Sequence, residues 1–221
     1  MAKSADLQAA DLLRDIPDNS LDLVQEAFTV FIRESLPPFN YHVKGTILLL
    51  HGQAYTSYVW QNSNMMQIFS AMGFHCIAPD LPGQGRTEGT GIADKEKPRF
   101  FSLLIDTLYL KRVIVVAASM AGQYILPLLP DFRITCLVAI ALSDSKMPPE
   151  RSSVIKTPTL VLWGDKDTSL GPICASNLKN LPFVKLIKIP SATHACHESN
   201  PKYVQTVILN FLDLITEYDL I

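Results

Sequence analysis

The chain has 221 residues, 48% of them hydrophobic and 18% charged, a composition that supports a single domain with a sizeable core and excludes an intrinsically disordered chain. Its formal net charge of −2 offers no electrostatic footprint for nucleic acid or an anionic membrane, so neither is expected as a partner. Four cysteines, Cys76, Cys136, Cys174 and Cys196, follow no pairing pattern and are expected to be reduced.

Residues 1–20 carry Leu7, Leu12, Leu13 and Ile16 at helical spacing and predict a short peripheral helix within an N-terminal extension, residues 1–25. That segment lacks the apolar stretch of a signal peptide, and Asp6, Asp11 and Asp15 disfavour a mitochondrial transit peptide; a cytoplasmic or nuclear location is expected. Residues 26–221 then read as one domain. Residues 28–33 alternate as a strand does, and residues 45–50 form a continuous apolar strand that runs into His51-Gly52-Gln53. Residues 59–72 predict a helix closed by Gly73.

A strand over 74–78 leads into Asp80-Leu81-Pro82-Gly83-Gln84-Gly85. A dinucleotide fingerprint would need glycine at 88, where the chain has Glu88, so this glycine cluster reads as a tight surface turn. The mixed charges of 92–98 predict a solvated loop, and 100–110 a helix.

Residues 113–130 are free of charge and long enough to raise the question of a bilayer span. Gln123, Pro127, Pro130 and the small centre divide them instead into strand, turn and helix. At the turn stands Ser119, with Ala117 and Ala121 two residues to either side and Gly122 beyond. A serine on a sharp strand-to-helix turn presents its hydroxyl above the sheet, and its flanking positions must be small. Glycine is usual at both flanks, so alanines make a relaxed version, and a buried structural serine is the competing account. Strands over 134–140, 159–163 and 184–189, a helix over 171–180, and a C-terminal helix opening at Asn200-Pro201 complete the chain.

Strands alternating with helices imply a mostly parallel sheet covered on both faces, an α/β architecture whose chemistry sits at the carboxyl ends of its strands. Gln53, Ser119, Asp167 and His194 each follow a strand, and the order nucleophile, acid, histidine is that of a serine hydrolase on such a sheet. His194 is the candidate base, and Asp167 the candidate acid, with Asp165 and Asp144 as rivals. The backbone amides of Gln53 and Met120 are candidate oxyanion donors. His51 orders the loop that carries Gln53, and His197 reads as a solvated or capping residue. His194-x-Cys196-His197 invites a zinc site, but no second Cys/His pair completes four ligands, so no metal is expected.

Leu48-Leu49-Leu50-His51-Gly52 with Trp60-Gln61-Asn62, Asp80-Leu81-Pro82-Gly83-Gln84-Gly85, Ser119-Met120-Ala121-Gly122-Gln123-Tyr124, Lys156-Thr157-Pro158-Thr159 and Gly164-Asp165-Lys166-Asp167 resemble the α/β-hydrolase domain-containing protein 14 group, nearer its soluble B-type branch. The likeness runs from about residue 26 to the C-terminus. It implies an α/β-hydrolase fold and a cytosolic and nuclear serine hydrolase acting on small acyl groups, with the triad on Ser119, Asp167 and His194. The chain departs from that branch at Ala121, where the branch has a second serine.

Forty-eight positions separate Ser119 from Asp167, too few for a large lid beside a strand and its connections, so an open site for a short acyl group is expected. Three readings stay open. The chain hydrolyses small esters, thioesters or amides; or it passes the acyl group, taken from a small molecule or from a protein, to a thiol such as coenzyme A; or the fold serves as a protein-binding module without turnover. No other cofactor is expected.

Overall fold

The structure, a computed structural model, describes residues 2–8, 29–39 and 42–217. Among the described residues, eight strands make one sheet: β1 (Ala2–Gln8), β2 (Thr29–Ser35), β3 (Gly45–Leu50), β4 (Phe74–Pro79), β5 (Val113–Ala118), β6 (Ile134–Ile140), β7 (Thr159–Gly164) and β8 (Val184–Ile189). They are ordered β1-β2-β4-β3-β5-β6-β7-β8. β2 pairs antiparallel with β1 and β4, and all pairs from β4 to β8 are parallel.

The central strands are apolar along their whole length because both faces are covered. Along β5, Val113, Val115 and Ala117 enter one core while Ile114, Val116 and Ala118 enter the other. The first core is completed by α3 (Lys97–Thr107), α4 (Gly122–Ile125) and α6 (Leu170–Leu178). The second takes in α1 (Tyr58–Asn62), α2 (Met65–Ala71) and α8 (Pro201–Glu217), which lays Val204, Ile208, Leu212 and Ile215 on the sheet. A short α5 (Pro149–Val154) precedes β7, and α7 (Cys196–Ser199) precedes α8. The interval between Ser119 and Asp167 therefore holds no large lid. β8 closes one edge of the sheet with Lys185 and Lys188 exposed, charges that discourage further strand pairing.

Three expectations are corrected. Within the predicted N-terminal helix, Ala2–Gln8 instead form β1, with Ala2 opposite Ser35 and Gln8 opposite Thr29; the rest of residues 1–25 lies outside the described residues. Pairing with a distant strand has overridden a weak local periodicity. The helix over 59–72 is two helices, broken where Asn64 takes the left-handed region at φ 57°. Lys97 is no solvated loop residue: it opens α3 at 9% exposure, and its Nζ donates to Asp94 Oδ1 at 2.6 Å and to Gln123 Oε1.

Residues 113–130 divide as expected into β5, a 3-10 turn, α4 and a second 3-10 turn, and no described helix is long and apolar enough to cross a membrane. The four cysteines are free and buried, and burial pushes each thiol above its ordinary value.

Gly164, at the carboxyl end of β7, lies so close to the next loop that a Cβ would run into the carbonyl oxygens of Ala192 and Thr193. Backbone on both sides leaves nothing flexible to yield. Gly164→Ala is expected to lower unfolding free energy by about 1–3 kcal/mol in urea denaturation, with an unchanged m-value; wild-type stability would contradict this account of the approach.

Candidate active site

β5 delivers Ser119 into a 3-10 turn, Ser119–Ala121, with Ser119 held at φ 50°. A non-glycine residue in that region is strained, and the strain is the local signature of a nucleophile elbow. Ala117 and Ala121 are 0% exposed, so the relaxed flanks fit the packing as glycines would. Gly52 presses on the elbow from β3: a Cβ there would stand 3.2 Å from Ser119 Cβ. This contact seats the loop that continues into Gln53 against the serine, and Gln53 and Ser119 line one cavity. Gln53 N–H donates to no protein group among the described residues.

His51 fixes that loop from behind. Its Nε2 accepts Leu81 N–H at 3.0 Å, which leaves the proton on Nδ1 to be donated to Gly52 O at 2.9 Å. Burial lowers its pKa, in keeping with this neutral, doubly bonded role. A second brace is Asp80, 2% exposed, whose carboxylate accepts Ser57 N–H at 2.7 Å and Arg86 N–H at 2.8 Å.

The loop after β8 carries His194, whose Nε2 stands 3.0 Å from Ser119 Oγ and whose Nδ1 stands 2.7 Å from Asp167 Oδ2. The Asp167 side chain is 1% exposed, the His194 side chain 40%. Asp167 also accepts Ser169 N–H at 2.9 Å and Gly171 N–H at 3.0 Å. Burial raises its pKa, but the hydrogen bonds from His194, Ser169 and Gly171 and the charge of His194 outweigh burial and hold the carboxyl below its ordinary value. An ionised, fully bonded carboxylate is thus locked against Nδ1.

The rivals have other partners. Asp165 accepts Ala192 N–H at 3.1 Å and so secures the loop that carries His194, and Asp144 accepts from Gln123 Nε2 at 2.9 Å. A cavity of about 130 Å³ opens on Ser119, lined by Gln53, Tyr55, Ala118, Ile140, His194 and His197 among others.

His197 overturns its reading as a solvated or capping residue. It is 2% exposed, stacks on Trp60 with ring centroids 4.7 Å apart, and finds no hydrogen-bond partner for either ring nitrogen. Burial first, then the charge of His194, depress its pKa to about 3. Nothing in the sequence marked this, because the burial comes from residues over 130 positions away. Unfolded chains take up a proton here below about pH 6.5 while the native state does not until about pH 3, so stability falls as pH drops through that window. His197→Phe removes the effect: between pH 7 and pH 5 the wild type is expected to lose about 2 kcal/mol more unfolding free energy than the variant, and parallel losses would refute the buried neutral imidazole.

The profile of the alpha/beta hydrolase family matches residues 47–154. Protein ABHD14A of Rattus norvegicus is 31% identical over 86% of this chain and 81% of its own, and ABHD14B of the same species is 31% identical over 83% and 90%. Equal identities support the group without preferring its B-type branch. Among solved structures, a CIB-like hydrolase from Thermoplasma acidophilum superposes with a TM-score of 0.80 at 20% identity over 96% of this chain and 98% of that one. The carboxylesterase CesB of Bacillus subtilis reaches 0.75 at 14% identity, over 95% and 92%, a likeness of fold. With the sheet order, the elbow and these relatives together, the chain belongs to the ABHD14 group of the α/β-hydrolase superfamily.

Proposed function

We propose that the chain is a serine hydrolase that removes short acyl groups through an acyl-Ser119 intermediate. The observation that carries this reading is the unbroken line Asp167, His194, Ser119, with contacts of 2.7 and 3.0 Å ending on a serine at φ 50°. His194 Nε2 takes the Oγ proton as the Oγ–C bond forms, and Asp167 holds the other ring proton on Nδ1. The carbonyl oxygen, now negative, is received by the Gln53 and Met120 amides. Collapse of the tetrahedral species breaks the bond to the leaving group, which receives the proton from His194. Water, activated by the same imidazole, then frees the acid and restores Ser119.

The cavity of about 130 Å³ is small against the roughly 300–1,000 Å³ of sites for drug-sized ligands, which favours a short acyl group. The exposure of the His194 side chain, 40%, favours a large leaving group outside the pocket, and rat ABHD14B is named as a candidate protein-lysine deacylase. The same exposure admits a thiol such as coenzyme A in place of water, which makes acyl transfer the second reading. A purely binding role would leave the buried ionised Asp167 and the strained serine without a use.

A fluorophosphonate probe is expected to label Ser119, and Ser119→Ala to abolish labelling and lower kcat/KM for p-nitrophenyl butyrate by about 10⁴-fold. An unlabelled wild type, or a Ser119→Ala variant as active as wild type, refutes the proposal. For the acid, Asp167→Asn should cost about 10³–10⁴-fold and Asp165→Asn less than about tenfold; the reverse order would assign the acid to Asp165.

A further inference from the structure

Tyr55 stands two residues beyond Gln53, its backbone N–H bonded to Gly52 O at 3.0 Å, and its ring forms part of the cavity wall. The ring meets His197 edge-on, with centroids 6.0 Å apart, and His197 is itself backed by Trp60. The phenol donates to Glu198 Oε2 at 2.6 Å. Glu198 belongs to α7, the turn of helix that follows His194, so this one bond joins the loop of Gln53 to the loop of His194 across 143 positions of sequence. The bond to Glu198, with smaller contributions from burial and the carboxylate charge, raises the phenol to about 12, so Tyr55 remains a donor at any physiological pH.

A solvent-exposed hydrogen bond of this kind adds little to global stability. What it does restrict is the side chain of Tyr55. Ala54, Ala118 and Ala195 add little bulk to the cavity lining, and among its large side chains Tyr55 is tethered through its phenol to Glu198. We propose that the Tyr55–Glu198 bond is a clasp that holds this ring as a fixed wall and thereby sets the length of acyl group admitted beside Ser119. The proposal rests on the acyl-serine reading above and makes Tyr55 and Glu198 specificity-determining residues outside the catalytic machinery.

The test compares kcat/KM for p-nitrophenyl acetate, butyrate and octanoate in wild type, Tyr55→Ala, Tyr55→Phe, Glu198→Ala and Glu198→Gln, with fluorophosphonate labelling of Ser119 as a control for an intact site. The octanoate-to-butyrate ratio is expected to rise about tenfold in Tyr55→Ala, which removes the wall, and about threefold in Tyr55→Phe and Glu198→Ala, which free it. Glu198→Gln keeps an acceptor oxygen and should stay within about twofold of wild type. If Tyr55→Ala fails to label, the Tyr55→Phe and Glu198→Ala pair decides. Ratios unchanged in labelled variants overturn the clasp and leave the acyl-serine reading standing. A wild type that neither labels nor turns over overturns that reading, and the clasp falls with it.

Discussion

The site depends on two close approaches at glycines, one of backbone to the Ser119 side chain and one of backbone to backbone. At Gly52, the chain leaving β3 lies against the turn of Ser119, and at Gly164 the end of β7 lies against the carbonyls that precede His194. The first contact seats the loop of Gln53 against Ser119, and the second brings the strand that leads to Asp167 against the loop that carries its partner. The contacts of 2.7 and 3.0 Å along Asp167, His194 and Ser119 therefore rest on the packing of strand ends that brings their loops together. The strained φ of Ser119 persists because these contacts over-determine it.

Around that frame, the polar groups that brace the site are buried with their partners in place. Asp167 has its histidine and two backbone donors, Asp80 has two backbone donors, and His51 is bonded on both nitrogens. His197 breaks the pattern, with neither nitrogen satisfied, and so does Nε1 of the Trp60 ring it stacks on. Leaving one buried donor unsatisfied costs about 1–3 kcal/mol, and here the imidazole is retained as an aromatic plate between Trp60 and Tyr55.

Much of this was legible in the sequence, for a physical reason. Parallel strands buried on both faces must be apolar throughout, so β3, β5, β6 and β7 announce themselves, and their carboxyl ends locate Gln53, Ser119 and Asp167 without coordinates. What escaped notice depends on distant partners. β1 exists through pairing with β2, Lys97 is buried by Gln123 and Tyr124, and His197 by Trp60. The choice of Asp167 over Asp165 was open in sequence because the two lie on one turn; only their partners separate them, His194 for one and the Ala192 amide for the other. The break at Asn64 is the left-handed backbone of a single residue, which no periodicity reports.

The four buried thiols give the molecule a property its active site lacks. Each cysteine is free and packed in the core, with its thiolate disfavoured by burial. Nucleophilic sulfur is sulfur that is ionised and reachable, and none of these is either. The half-buried Ser119 thus stands in a protein whose thiols are withdrawn, which leaves oxidants no reachable thiolate to attack.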